Sequence, residues 1–177
     1  LKRAEAKIRN NPMEFSHNFD SEGNLLFVAT SGSTDFVEFS PEQVARLKDA
    51  VSTHNHPKGG SFSPADIEFA VVADLKELRA VSRETGYTFV LQRPKNGWGE
   101  SVLEKDQTTR KQVFQKVSEQ IYPIMSKDPK AKQTMTSGMG SRFMSELVVQ
   151  DWLTKMLEAG TSPDDMPKYY ELIDAKN

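Results

Sequence analysis

Two histidines spaced two residues apart, His54 and His56, are the residues of this chain best placed to act on a common target. In an extended segment, residues i and i+2 project to the same face, so the two imidazoles converge while Asn55 faces away. Pro57 keeps His56 extended. Asp66 follows ten residues after His56, across a short Gly-bearing loop. Two histidines and one carboxylate are the donor set of a zinc site that leaves a fourth position for water. Such a zinc brings the pKa of that water towards ~7. The plain alternative is a pair of exposed loop histidines.

The rest of the inventory narrows the choice. The 177 residues contain three histidines and no cysteine. Disulfides, thiolate nucleophiles and Cys-bearing metal sites are excluded, and any metal must be held by His, Asp or Glu. Ser63 and Asp66 also fit a helix start. The pattern Ser-Pro-x-(acid or Gln) recurs at Ser40, Ser63 and Ser162, and N-capping explains all three. Capping and ligation are compatible if the helix start presents Asp66 to the metal. A general base is also needed. Glu14 is one candidate, on the face of its strand opposite Phe15 and Phe19. Glu38, alternating against Phe36 and Phe39, is its rival. His17, between Phe15 and Phe19, reads as a half-buried strand residue.

The elements that must position these groups follow from periodicity and punctuation. Residues 1–10 are helix-friendly and end at Asn10-Asn11-Pro12. Their basic residues Lys2, Arg3, Lys7 and Arg9 read as a solvated face. Alternation over 15–19, turn chemistry over 20–24 and an apolar run from Leu25 to Thr30 predict a β-hairpin across 13–30. Phe36 to Phe39 reads as a short strand. Ser40-Pro41-Glu42-Gln43 starts a helix expected to reach about Val51, with Val44, Leu47 and Val51 as its stripe. A second helix begins at Ser63, with the stripe Ile67, Val71, Leu75 and Leu78. Strands are expected at Arg79–Arg83 and Tyr87–Gln92, around Glu84-Thr85-Gly86. The character changes after Gly99. Helices are expected over about 103–122 and 142–159, with a polar loop over 130–141 and Gly160 as a stop. The chain thus divides into an α/β piece, 1–99, and a helical extension, 100–177.

Charge and hydropathy set further bounds. The formal net charge is −2, so there is no general electrostatic signal for nucleic acid or an anionic membrane. No apolar run approaches the ~18 residues of a membrane helix. The chain starts at Leu1, as a processed or excised segment would. Lys2-Arg3-Ala4-Glu5 is not followed by an apolar stretch, so no signal peptide is expected.

The string His54-Asn55-His56-Pro57, followed by Ser63 and Asp66, resembles the metal motif of the JAMM/MPN (JAB-like) superfamily: His-x-His-Pro, a short loop, then Ser-x-x-Asp, with a glutamate on an earlier strand. Thr53-His54-Asn55-His56-Pro57 is similar to the RadC-like branch and to JAB-like domains of phage head-associated proteins and toxins. Glu14, Phe19-Asp20, Gly23 and Leu25-Leu26 are similar to the hairpin that opens such domains. Ser40-Pro41-Glu42-Gln43-Val44 resembles the helix start leading into the motif. The resemblance covers about 13–92. It implies a cytidine deaminase-like mixed curved sheet flanked by helices, one Zn2+ per chain on His54, His56 and Asp66, and a protein or peptide substrate. It also implies that Glu14 moves a proton from the metal-bound water to the leaving amine, and that Ser63 stabilises the oxyanion. One departure is the loop between Pro57 and Ser63. Its five residues, Lys58 to Phe62, are one fewer than the family usually has. Gly59-Gly60 absorbs the difference, or Asp66 is displaced and the site is degenerate.

The first functional expectation is therefore a zinc-dependent peptidase or isopeptidase. The second is an assembly or scaffold module of a phage-type or toxin-type protein, with the metal structural or absent. The third is a RadC-like nucleic-acid role, which the −2 charge does not favour. The cytoplasm of a bacterial or phage-infected cell is the expected location. Residues 100–177 are expected to contact a partner or a second domain.

Overall fold

The structure, a computed structural model, describes residues 1–83, 86–98 and 138–173, with side chains from 145 onward in the last segment. The expected helix over 103–122 lies outside the described residues. The chain is an α/β fold built on a mixed, open six-stranded sheet of order β2-β1-β3-β4-β5-β6. Its elements are α1 (Lys2–Ile8), β1 (Ser16–Phe19), β2 (Leu25–Ala29), α2 (Pro41–Ala45), β3 (Val51–His56), α3 (Pro64–Val72), β4 (Glu77–Ser82), β5 (Tyr87–Gln92), α4 (Gly138–Glu158) and β6 (Lys168–Ile173).

β3 and β4 run parallel, joined through α3, and every other pairing is antiparallel. The period-2 alternation of the strands sorts side chains between two faces. Leu78, Ala80, Phe89 and Leu91 point to one face and join Leu47, Phe62, Ile67 and Ala70 in the main hydrophobic core. α4 adds Val149 and Trp152 to that core, and Trp98 joins it with its indole N–H donating to the Leu75 carbonyl at 2.9 Å. α1 covers the other face. There the buried Glu5 accepts from Arg79 Nε at 2.6 Å. Arg9 is not part of a solvated face: its guanidinium donates to the Ser82 carbonyl at 2.7 Å and reaches Thr88 Oγ1 at 3.3 Å.

Several expectations meet tertiary constraints. The 13–30 hairpin forms, closed by Asp20, which accepts from the Asn24 and Glu22 amides. No strand forms at 36–39. Phe39 of this segment instead stacks on Phe69 at 4.4 Å. The helix from Ser40 stops at Ala45, because Val51 is needed to open β3; Asp49, at φ +60°, turns the chain between them. α3 ends at Val72, so Leu75 follows the helix and Leu78 lies in β4, both still buried. The 142–159 helix is present and begins earlier, at Gly138, inside the stretch expected to be a polar loop. The part of the chain after 100 is not wholly helical: β6 pairs along the full length of β5.

Candidate metal centre

β3 ends at His56 and α3 begins eight residues later at Pro64, so the carboxyl end of a parallel strand faces a helix N-terminus. That is where open α/β sheets place their ligands. The capping pattern at Ser63 folds as the residues require. Ser63 Oγ accepts from the Asp66 amide at 3.2 Å, and the Ser63 amide donates to Asp66 Oδ2 at 2.6 Å, a complete capping box. The same carboxylate turns toward β3. Asp66 Oδ1 lies 3.3 Å from His54 Nε2, and Oδ2 lies 3.5 Å from His56 Nε2. Capping and convergence on the histidines therefore occur together.

The two ring nitrogens, His54 Nε2 and His56 Nε2, are 2.8 Å apart. His56 Nδ1 faces the Gly60 carbonyl at 3.3 Å. A carbonyl only accepts, so Nδ1 donates, and in the neutral ring the Nε2 lone pair is left for a metal. Zinc bonds of about 2.0–2.1 Å set tetrahedral ligand atoms ~3.3–3.4 Å apart. The two histidine–aspartate separations, one to each carboxylate oxygen, lie close to that spacing, and the histidine pair, at 2.8 Å, would open to hold a metal. His54, His56 and Asp66 are the group of donors among the described residues that fits a metal ion.

Asp66 and His56 also set each other's protonation. Burial opposes ionisation of Asp66, but the His54 and His56 imidazoles outweigh it and hold the carboxyl well below the ordinary carboxylate range. Burial works against protonated His56, but Asp66, helped by Glu14, raises its pKa.

Glu14 reaches the same place by register. β1 pairs Ser16 with His54, and the pairing continues as the Asn55 amide donates to the Phe15 carbonyl at 3.3 Å. One further step sets Glu14 level with His56 on the site face. Glu14 is 8% exposed, and it lines a cavity of about 340 Å³ together with His54, His56, Ser63 and Asp66. Burial pushes its pKa up, while His54 and His56 pull it back in part. The rival Glu38 is exposed and does not line this cavity. His17 points to the α1 side of the sheet, half-buried, with its pKa lowered by burial and by Lys7.

Three features had no signal in the spacing of the chemical residues. Phe36, Phe39 and Phe69 form an apolar wall beside the donors. Asp35 and Lys58 pair at the rim. Ser145 of α4 reaches the cavity from a segment distant in sequence. Among the described residues no helix is long and apolar enough to cross a membrane. Compared with known proteins, the chain matches no family model, no curated protein and no solved structure.

Proposed function

We propose that this chain is a zinc-dependent amide hydrolase of the JAMM/MPN type, a peptidase or isopeptidase, with His54, His56 and Asp66 holding the metal. The observation that carries the reading is the meeting of these three donors with the buried carboxyl of Glu14 in one cavity. When bound, zinc supplies Lewis-acid polarisation and acidifies water to a pKa near ~7. Glu14 accepts a proton at its carboxylate and returns it to the leaving amine. Its raised pKa brings it closer to neutrality, where a general base is most effective. Ser63 Oγ uses a lone pair on the Asp66 amide, which leaves its own hydrogen free to donate to a developing oxyanion. Asp66, fixed by the Ser63 amide, keeps its carboxylate aimed at both histidines. Phe36, Phe39 and Phe69 line one side of the cavity with apolar surface.

Metal content after dialysis against zinc and removal of excess tests the reading. One zinc per chain is expected, lost in His54→Ala and in His56→Ala. An unaltered protein that stays metal-free would sink it.

A second reading, an assembly module in which the metal is structural, is favoured by one observation. β6 lies at the sheet edge with Ile173 77% exposed and Tyr170 and Leu172 each 37% exposed, and apolar edge strands pair with other chains. That reading expects zinc binding without hydrolysis, and self-association that Ile173→Lys abolishes in sedimentation.

A further inference from the structure

The loop between the metal-ligand candidates is held from outside by the last described segment of the chain. The peptide linking Gly60 to Ser61 is bound on both sides. Its carbonyl, Gly60 O, receives His56 Nδ1 at 3.3 Å. Its N–H, on Ser61, donates to Ser145 Oγ of α4 at 2.7 Å. Ser61 Oγ is also within 2.8 Å of the Tyr169 hydroxyl on β6. Ser61 is 2% exposed and Phe62 beside it is 0% exposed, so this peptide has no solvent to turn to. The Tyr169 ring packs edge-on against Phe62 at 6.2 Å. Gly59 and Gly60, at φ +71° and +112°, adopt the left-handed conformations that turn the Gly60 carbonyl back to His56.

We infer that the C-terminal segment, through Ser145 and Tyr169, positions the Gly60–Ser61 peptide that orients His56 for metal binding. A hydrogen bond to one end of a peptide unit polarises and fixes the other. A ligating histidine depends on the acceptor at its second ring nitrogen for tautomer and orientation. Ser145 and Tyr169 act on His56 through this loop and are positioning residues. The inference rests on the zinc reading above and adds that zinc affinity is set partly by a segment more than eighty residues from His54 and His56 in sequence.

Zinc affinity, measured by competition with a chromophoric chelator, tests it alongside the thermal melt of the metal-free protein. Ser145→Ala is expected to weaken zinc by about tenfold, the low end of the cost of losing an outer partner. Ser145→Thr, which keeps the acceptor oxygen, is expected to restore it. Tyr169→Phe keeps the ring against Phe62 but releases the Ser61 side chain, and is expected to weaken zinc by loosening the loop, by less than Ser145→Ala does. Thr154→Ala, on the same helix, where the hydroxyl donates to the Gln150 carbonyl within α4, should leave affinity unchanged. If Ser145→Ala does not fold, Tyr169→Phe carries the test. Unchanged zinc affinity in the folded variants, or an equal loss in Thr154→Ala, overturns the inference while the zinc reading stands. An unaltered protein that binds no zinc overturns both.

Discussion

The side-chain amide of Asn55 donates to the Met13 carbonyl at 2.9 Å, on the side of β3 opposite the two imidazoles that flank it. It also donates to the Asn11 carbonyl at 3.2 Å and accepts from the Phe15 amide at 2.8 Å. One fully buried amide, 0% exposed, thus pins the segment on either side of Glu14. The residue between the two metal-ligand candidates holds the candidate base in place.

Asn55→Ala leaves the Phe15 amide and the Met13 carbonyl without these partners. A cost of about 3 kcal/mol is expected, since unmade buried hydrogen bonds cost ~1–3 kcal/mol each. Chemical denaturation measures it. Amide hydrogen exchange should speed up at 13–15 in the surviving folded protein, with β4 and β5 still protected. Uniform exchange across the sheet would contradict a latch confined to this segment.

Glu14→Gln is expected to keep one zinc per chain and to lower peptide or isopeptide hydrolysis by about 10²–10⁴, the usual worth of a general base. Loss of folding with metal affinity intact would assign Glu14 a structural role instead.

Ser63→Ala removes the cap of α3 and is expected to cost about 1 kcal/mol of stability. If the hydroxyl also donates to an oxyanion, turnover falls by about 10² or more while zinc stays bound. Ser63→Gly, which costs a helix start only a few tenths of a kcal/mol, separates the two effects: stability recovers and turnover does not.

The metal-free protein should be most stable in mildly acidic solution. Asp66 is held below its ordinary 3.8, so the folded chain binds fewer protons, and the stability it adds above that value is lost as pH falls. His56 is raised above 6.5, so its contribution is complete below 6.5 and is lost as pH rises through the raised value. Glu14, raised above 4.5, acts in the same direction as His56. Denaturation midpoints in the presence of a chelator should therefore fall toward pH 8 and again toward pH 3. Asp66→Asn should flatten the acid limb. Zinc should remove the alkaline decline, because it requires neutral imidazole.

Arg79→Ala strands Glu5, which is 3% exposed, without its 2.6 Å ion-pair partner. Breaking a buried pair from one side costs ~3–5 kcal/mol. A thermal melt showing a negligible change would mean that Thr53 Oγ1, 3.4 Å from Glu5, suffices for that carboxylate.

The elements whose signals are local were legible in sequence. The hairpin across 13–30, the capped starts at Ser40 and Ser63, β5 and the long helix ending before Gly160 follow from turn chemistry, capping boxes and periodicity. Where an element ended was less legible. Leu75 and Leu78 continue a helical stripe, yet Asp74 at φ +48° breaks it and β4 takes Leu78, because a parallel partner for β3 is a long-range demand that no helical window contains. β6 shows the same limit: Lys168–Ile173 is a strand because β5 offers it an edge.

The sequence by itself determined which atoms could bind a metal. Three histidines, no cysteine and the i, i+2 spacing at His54 and His56 leave little choice of donors, and those are facts of composition and strand geometry. Only the tertiary structure decided how those donors are held. The antiparallel register of β1 on β3 brings Glu14 rather than Glu38 to the cavity, Asn55 locks that register from behind, and Ser145 and Tyr169 brace the loop from a segment far along the chain. These are contacts between residues distant in sequence, and their existence depends on the folded packing of the sheet.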